Sequence, residues 1–194
     1  MTKQACDQMF GAGGWIPMPR FEHVQPNGKQ RPIDDAKRFG HNRASAYCET
    51  LDCITAVQPG INIKTFTTVA RALGVPMAEV QAMVMETGGE DIPQAYRWVP
   101  GDPQEEHCNI VGAYSEEYRQ WMYQVIYGMV FGKAAAVVVF HRPQRLMQSL
   151  VRRWILILFA MYFDDSTIQD LALARGRGQF HIRGLFRLIG IPLG

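Results

Sequence analysis

The chain has 194 residues, enough for one folded domain or for a domain with a small second lobe. Its hydrophobic fraction of 47% and charged fraction of 20% are ordinary for a globular protein, which excludes a disordered or fibrous class. The net charge of +2 is small, but arginines are concentrated late in the chain, as in phosphate-binding surfaces or solvated helix faces: Arg142, Arg145, Arg152, Arg153, Arg175, Arg177, Arg183 and Arg187.

The lengths of the apolar runs and the spacing of the cysteines indicate where in the cell the protein is expected. The longest uninterrupted apolar stretch, residues 154–163, has ten residues, about half of the ~20 needed to cross a bilayer, so no membrane partner is expected. The first residues lack the features of a secretory signal, and the four cysteines form no C-x-x-C pair, which predicts an intracellular location in the cytoplasm or nucleus. A zinc site stays an alternative, although its spacing fits no usual ligand pattern: Cys48, Cys53, His41 and His107.

The first half of the chain predicts turns and short elements. The first 60 residues are rich in Gly, Pro and Asn and predict short extended segments, with a hairpin turn at residues 26–28. Residues 65–86 show apolar side chains at helical spacing, interrupted at Gly74 and Pro76, which predicts two short helices.

The second half predicts further strands and helices. The segments CNIVGAY and WMYQVIY are predicted strands. Residues 133–150 carry an Ala/Val run that suits a strand, but the later spacing of Arg and Leu favours a helix with a kink at Pro143. Residues 155–163 predict a strand buried on both faces, followed by a turn and second strand at DDSTIQDL and a helix near residues 171–189.

Two adjacent carboxylates, Asp164 and Asp165, end the long apolar run. Neighbouring carboxylates repel each other, so the pair lies either in a solvated hairpin turn or beside a bound cation. A third carboxylate, Asp91, opens the extended segment DIPQAY. Two neighbouring strands can present Asp91 and Asp164 to one point, which favours the cation.

Four segments resemble those of reverse transcriptases, in the family's order. DIPQAYRWVP resembles motif A of the palm domain, with its Asp, three variable residues, Ala and an aromatic residue, and YFDD resembles motif C. YGMVFGKAAAVVVF occupies the place of motif B, with Gly132 and Phe140 separated as the family's Gly and Phe are. GKQRPIDDAKRFGHN resembles the fingers segment, in which a basic residue precedes an extended piece, an Asp, another basic residue and an Asn.

The resemblance implies an α+β fold with a reverse-transcriptase-like palm, an antiparallel sheet with helices packed on one face, plus partial fingers. It implies a fingers-like region over residues 1–88 and a palm-like domain over residues 89–194. We expect the palm to be incomplete at its carboxyl end, because the stretch after Asp165 has no room for the family's primer-gripping hairpin and thumb.

The implied activity is that of an RNA-directed DNA polymerase from a retroelement, and it is expected to be weak or absent without a thumb. Its mechanism uses two Mg²⁺ ions, with Mn²⁺ as an alternative, which activate the attacking hydroxyl and neutralise the leaving group. The implied partners are an RNA or DNA template with a primer, and deoxynucleoside triphosphates.

The same resemblance implies roles for individual residues. Asp91, Asp164 and Asp165 are the expected catalytic and metal-binding residues. Lys29 and Arg31 are expected to grip the triphosphate, where a guanidinium offers bidentate contacts, and their ordinary alternative is a solvated hairpin edge. The other expected nucleotide contacts are Ile92, Tyr96 and Gly132. The expected contacts with the primer or template are Tyr162, Arg142 and Arg145.

Aromatic positions have an ordinary alternative as well. Tyr96 is expected under the sugar of the nucleotide, or else in the core against Trp98, and Tyr162 is expected beside the metals or in the core. Ile92 is expected to offer its backbone carbonyl to a metal.

The sequence also departs from the family pattern. Motif B lacks the usual polar residue before its Gly and the Ser-Pro pair after it, since Phe131 and three alanines stand there. ETGGE replaces the apolar strand before Asp91, which predicts a short or frayed strand. Two alternatives therefore stay open: a catalytically inactive or truncated retroelement remnant that at most binds nucleic acid, and an α/β domain whose Asp pair is merely a turn.

Overall fold

The computed structural model of the chain describes residues 1–46, 49–51 and 53–191. Within these ranges there are six α-helices and seven β-strands, in this order: α1 Lys3–Phe10, β1 Pro17–Val24, β2 Gln30–Asp34, α2 His41–Ala44, α3 Gln58–Ala72, α4 Met77–Ala82, β3 Met85–Asp91, β4 Ile110–Ser115, β5 Gln120–Val125, α5 Ala134–Leu150, β6 Leu158–Tyr162, β7 Asp165–Leu171 and α6 Arg177–Leu188. The predicted α+β class is confirmed. No helix in the described ranges combines the length and apolar character that a bilayer crossing requires.

The chain divides into two compact units, each built from two separate segments. The first unit comprises Met1–Thr50 and Tyr96–Phe140, and the second comprises Leu51–Ala95 and His141–Gly194. The expected boundary after residue 88 falls inside β3. The assignment of the two parts as fingers and palm stays a prediction.

The first unit contains a mixed sheet with the strand order β2-β1-β4-β5. The hairpins β1–β2 and β4–β5 are antiparallel, and β1 runs parallel to β4. The predicted turn at residues 26–28 joins β1 to β2, and the two predicted strands of the second hairpin are β4 and β5. Two apolar clusters form the core of the first unit. One contains Met18, Ala36, Val111, Ile126 and Val130, and the other contains Cys6, Trp15, Ile110 and Val125.

The second unit contains an antiparallel sheet with the order β3-β7-β6. All seven residues of β3 pair with β7, so the expectation of a short or frayed strand before Asp91 is wrong. The glycines explain the close pairing, because a Cβ atom on Gly89 would lie 2.7 Å from the carbonyl oxygen of Ser166. Backbone pairing, rather than apolar side chains, holds this strand.

Helices contact both faces of this sheet, whereas the sequence predicted helices on one face. Helix α6 lies against one face, where the Phe186 ring packs on Phe159 of β6. Helix α3 reaches the other face, where the side-chain amide of Asn62 donates to Gln169 of β7 at 2.8 Å. Both polar side chains are buried, and their mutual hydrogen bond satisfies them.

The chain turns sharply between α5 and β6. The predicted helix is α5, which contains Pro143, and a single π-helical turn at Val151–Ile155 follows it. Leu156 then adopts a left-handed backbone conformation with φ +58°, which ends the helix. Strand β6 therefore begins later than predicted, at Leu158, and three consecutive residues in its middle are buried.

Candidate active site on the three-stranded sheet

Two of the predicted catalytic residues face each other at one end of the β3–β7 pair. Asp91, the last residue of β3, is the direct partner of Asp165, the first residue of β7. The backbone N–H of Ile92 donates to the carbonyl of Asp164 at 3.1 Å. Hydrogen-bonded and non-hydrogen-bonded pairs alternate along an antiparallel ladder, so Asp91 and Asp165 form the non-hydrogen-bonded, closer type, with Cα atoms about 4.5 Å apart.

Asp164 lies in the two-residue turn between β6 and β7. Tyr162 pairs with Asp165 across this hairpin, which leaves Phe163 and Asp164 as the turn. Phe163 has φ +52°, an uncommon value for a bulky residue, and its ring packs edge-on against Tyr162 at 4.8 Å. Asp164 is half-buried there. Along the chain, the turn thus places Asp164 next to Asp165 of the cross-strand pair.

Tyr162, Asp165 and Asp91 form one row across the three strands. Direct partners in an antiparallel sheet point to the same face, so these three side chains share a face. All three are exposed. The core alternative for Tyr162 does not fit this exposure, and its predicted place beside the carboxylates agrees with the row.

The opposite face of the same strand end is closed by polar contacts. Glu90, which precedes Asp91, is buried, and its carboxylate accepts two hydrogen bonds from Arg183 of α6, at 2.9 and 3.0 Å. These bonds and the charge of Glu90 raise the pKa of Arg183. The Ser166 hydroxyl accepts from the N–H of Glu90 at 2.9 Å and donates to its carbonyl at 2.8 Å.

Side chains of one helical face hold the outer edge of β6. Gln144 donates to the carbonyl of Met161 at 2.6 Å, and Gln148 accepts from the Met161 N–H at 3.2 Å. Arg152 donates through Nε to the carbonyl of Phe159 at 2.7 Å. The spacing of four residues puts these three side chains on one side of the helix, so they line up along the strand.

Arg142 and Arg145, the predicted primer or template contacts, are exposed on α5. Arg145 also lines a cavity of about 320 Å³ together with Gln144, Gln148 and Arg152. Two of the other late arginines are exposed but pair with carboxylates of the same chain: Arg175 with Glu86 and Arg183 with Glu90.

Four of the predicted nucleotide contacts belong to the first unit. Lys29 and Arg31 are exposed on the β1–β2 hairpin, where Arg31 donates to Gln25 at 3.1 Å. Tyr96 packs edge-on against Phe131 and Phe140, with ring centres 4.9 and 5.1 Å away. The fourth expected contact, Gly132, lies against the segment GKQRPIDDAKRFGHN, which resembles the fingers segment of reverse transcriptases.

Gly132 requires the absence of a side chain. It has φ +96°, and a Cβ atom there would lie closer than 3.0 Å to the carbonyl oxygen of Asp34. Asn42 donates to the Gly132 carbonyl at 2.9 Å and accepts from the Ala134 N–H at 2.8 Å. Two of the four segments named in the sequence therefore meet at this glycine.

The metal-binding expectation stays a prediction. Carboxylate oxygens are the ligands that Mg²⁺ prefers, and Asp91 and Asp165 offer them from facing positions. In the described ranges, however, no three His, Cys, Asp or Glu side chains are grouped closely enough to hold a metal ion. The Ile92 carbonyl accepts from the Ala95 N–H at 3.2 Å.

The alternative zinc site gains no support from its described members. His41 bonds through Nε2 to the Ile16 carbonyl at 3.1 Å, and His107 bonds through Nδ1 to the Gln104 carbonyl at 3.0 Å. Cys48 lies outside the described residues.

Comparison with models of known protein families and with curated proteins finds no match to this chain.

Proposed function

We propose that this chain is a reverse-transcriptase-like nucleotidyltransferase module that extends a primer on an RNA template. The observation that carries the proposal is the direct pairing of Asp91 with Asp165, with Asp164 in the adjoining hairpin turn. Asp91, which is distant in the sequence from Asp164 and Asp165, thus lies at the same strand end as these two residues.

The proposed site binds Mg²⁺, which supplies Lewis-acid activation of the hydroxyl and neutralises the leaving pyrophosphate. Asp91, Asp164 and Asp165 are the residues that would hold it, because their oxygens are hard donors. Tyr162 offers an exposed aromatic face beside them, suitable for packing on a base or sugar. Helix α6 and the outer-edge contacts of β6 fix the strands that carry these groups.

Primer extension on an RNA template with deoxynucleoside triphosphates and Mg²⁺ tests the proposal. Asp91→Asn and Asp164→Asn should reduce incorporation to background, because each removes an anionic metal ligand. Glu79→Gln on α4 is a matched control, since it removes an exposed carboxylate of the same unit and should leave incorporation unchanged. Incorporation that survives Asp164→Asn would remove the assignment.

A second candidate is a retroelement remnant that binds nucleic acid without turnover. It is favoured by the lack of a three-donor metal group in the described ranges and by the exposed cations of α6, a helix that contains no Asp or Glu. Phosphate contacts release counterions, so the affinity should fall steeply with salt. The double variant Arg177→Gln with Arg187→Gln should reduce the salt slope by about two. Salt-independent binding, or none, would contradict this candidate.

A further inference from the structure

The residues next to the carboxylate pair form a connected polar unit on the opposite face of the sheet. Glu90 precedes Asp91, Ser166 follows Asp165, and the two are direct cross-strand partners. Both are only 7% exposed. Burying polar groups is costly unless they are hydrogen-bonded, so their contacts define their role.

The Ser166 hydroxyl links the two strands beyond their ordinary pairing. It bonds to both the N–H and the carbonyl of Glu90, at 2.9 and 2.8 Å. A single side chain of β7 thereby fixes both backbone polar groups of the residue before Asp91. Gly89 on the other side lies so close to β7 that a Cβ atom would meet the Ser166 carbonyl. The strand end cannot shift without breaking these contacts.

Arg183 connects this unit to α6. Its guanidinium bonds to both carboxylate oxygens of Glu90, and its neighbour Ile182 is fully buried. A bidentate pair restrains orientation as well as distance. The helix therefore holds Glu90 in one position, and the adjacent Asp91 is directed to the opposite, exposed face.

We propose that Ser166, Glu90 and Arg183 are positioning residues that set the separation and direction of Asp91 and Asp165. None of the three lies on the face of the carboxylates, so they act through the backbone. The expected consequence is tighter binding of a divalent cation, and it rests on the proposed metal-dependent function. Partners that orient metal ligands typically contribute a factor of 10 to 100 in metal affinity.

The affinity of the full chain for Mn²⁺ is measured by titration, with free Mn²⁺ monitored through its electron paramagnetic resonance signal. Ser166→Ala and Arg183→Met should each weaken Mn²⁺ binding about 10-fold or more, with Arg183→Lys intermediate because it keeps the charge but loses the bidentate geometry. Asp91→Asn should abolish binding and reports separately on the proposed function.

Arg175→Met is the matched control. It removes another bidentate Arg–Glu pair that also involves β3, but Glu86 lies four residues from Glu90, about 13 Å along the strand. This variant should keep the Mn²⁺ affinity of the original chain. If Arg175→Met and Arg183→Met weaken binding equally, the effect is general loss of stability and the positioning role is refuted.

A cross-linking measurement tests the positioning without a metal. Cysteines placed at Asp91 and Asp165 occupy a facing pair whose spacing allows a disulfide. The rate of its formation, read from the mass of the linked peptides, should fall severalfold when Ser166→Ala is added and stay unchanged with Arg175→Met. An unchanged rate with Ser166→Ala overturns the inference. A slowed rate, together with no Mn²⁺ binding by the original chain, supports the positioning and refutes the proposed metal-dependent function.

Discussion

Replacing Gly132 with alanine tests the close approach of two chain segments in the first unit. Gly132 has φ +96°, a left-handed conformation, and its backbone lies against the Asp34 carbonyl. Asp34 has little freedom to move, because it is 3% exposed and its carboxylate accepts two hydrogen bonds from Arg20, at 2.7 and 3.1 Å. Asn42 holds the Gly132 carbonyl from the other side.

The expected loss has two parts. A left-handed conformation costs a residue with a Cβ about 1–2 kcal/mol. Forcing an extra carbon into a closely packed position costs typically about 1–3 kcal/mol more. We therefore expect Gly132→Ala to lower the free energy of unfolding by about 2–5 kcal/mol, a large part of the roughly 5–15 kcal/mol typical of native proteins.

Urea denaturation followed by tryptophan fluorescence measures this loss. Gly40→Ala is the control in the same unit, because Gly40 has φ +84° but no atom lies within 4 Å of the place that a Cβ would take there. It should lose only the conformational part, about 1–2 kcal/mol. Equal losses in the two variants would refute the close contact between Gly132 and Asp34.

Three further predictions concern single side chains. Gln144→Ala should lower the free energy of unfolding, measured in urea, by about 1–3 kcal/mol, because it leaves the Met161 carbonyl of β6 without its donor. Ser149→Ala, on the exposed side of α5, should change that free energy by less than about 0.5 kcal/mol. Similar losses in the two variants would contradict the contact between Gln144 and β6. Asn42→Ala should cost about 1–3 kcal/mol by the same assay, since it breaks two hydrogen bonds at the start of α5, and an unchanged midpoint would count against them. Burial lowers the pKa of His41 from its ordinary value of 6.5, so the neutral side chain stabilises the fold fully above pH 6.5, and this stability is lost as the pH falls from 6.5 through the lowered pKa. His41→Gln should flatten this pH dependence of urea unfolding. If the pH dependence persists in the variant, another group causes it.

Local patterns were sufficient to predict most of the elements. The turn at residues 26–28, the two short helices interrupted at Gly74 and Pro76, and the hairpin around Asp164 all follow from turn residues and periodicity. The resemblance implied an antiparallel sheet, and β3 and β7 do pair antiparallel, with Asp91 opposite Asp165. Its catalytic meaning stays a prediction.

Strand β3 and the support of the site were not predictable in the same way. The segment ETGGE has no apolar alternation, and only the distant partner strand shows why two glycines suit it. Glu90 and Arg183 are 93 positions apart, and each alone is typical of a solvated surface. The late arginines similarly suggested phosphate binding, but Arg175 and Arg183 are paired within the fold.

The glutamines that bond to β6 also bear on self-association. An outer strand with unpaired backbone groups is a template on which another molecule can add a strand. Here the N–H and carbonyl of Met161 and the carbonyl of Phe159 are already bonded to side chains of the same chain. A second copy must break three hydrogen bonds before it can dock, which protects the protein from edge-to-edge aggregation without a proline or a bulge in the strand.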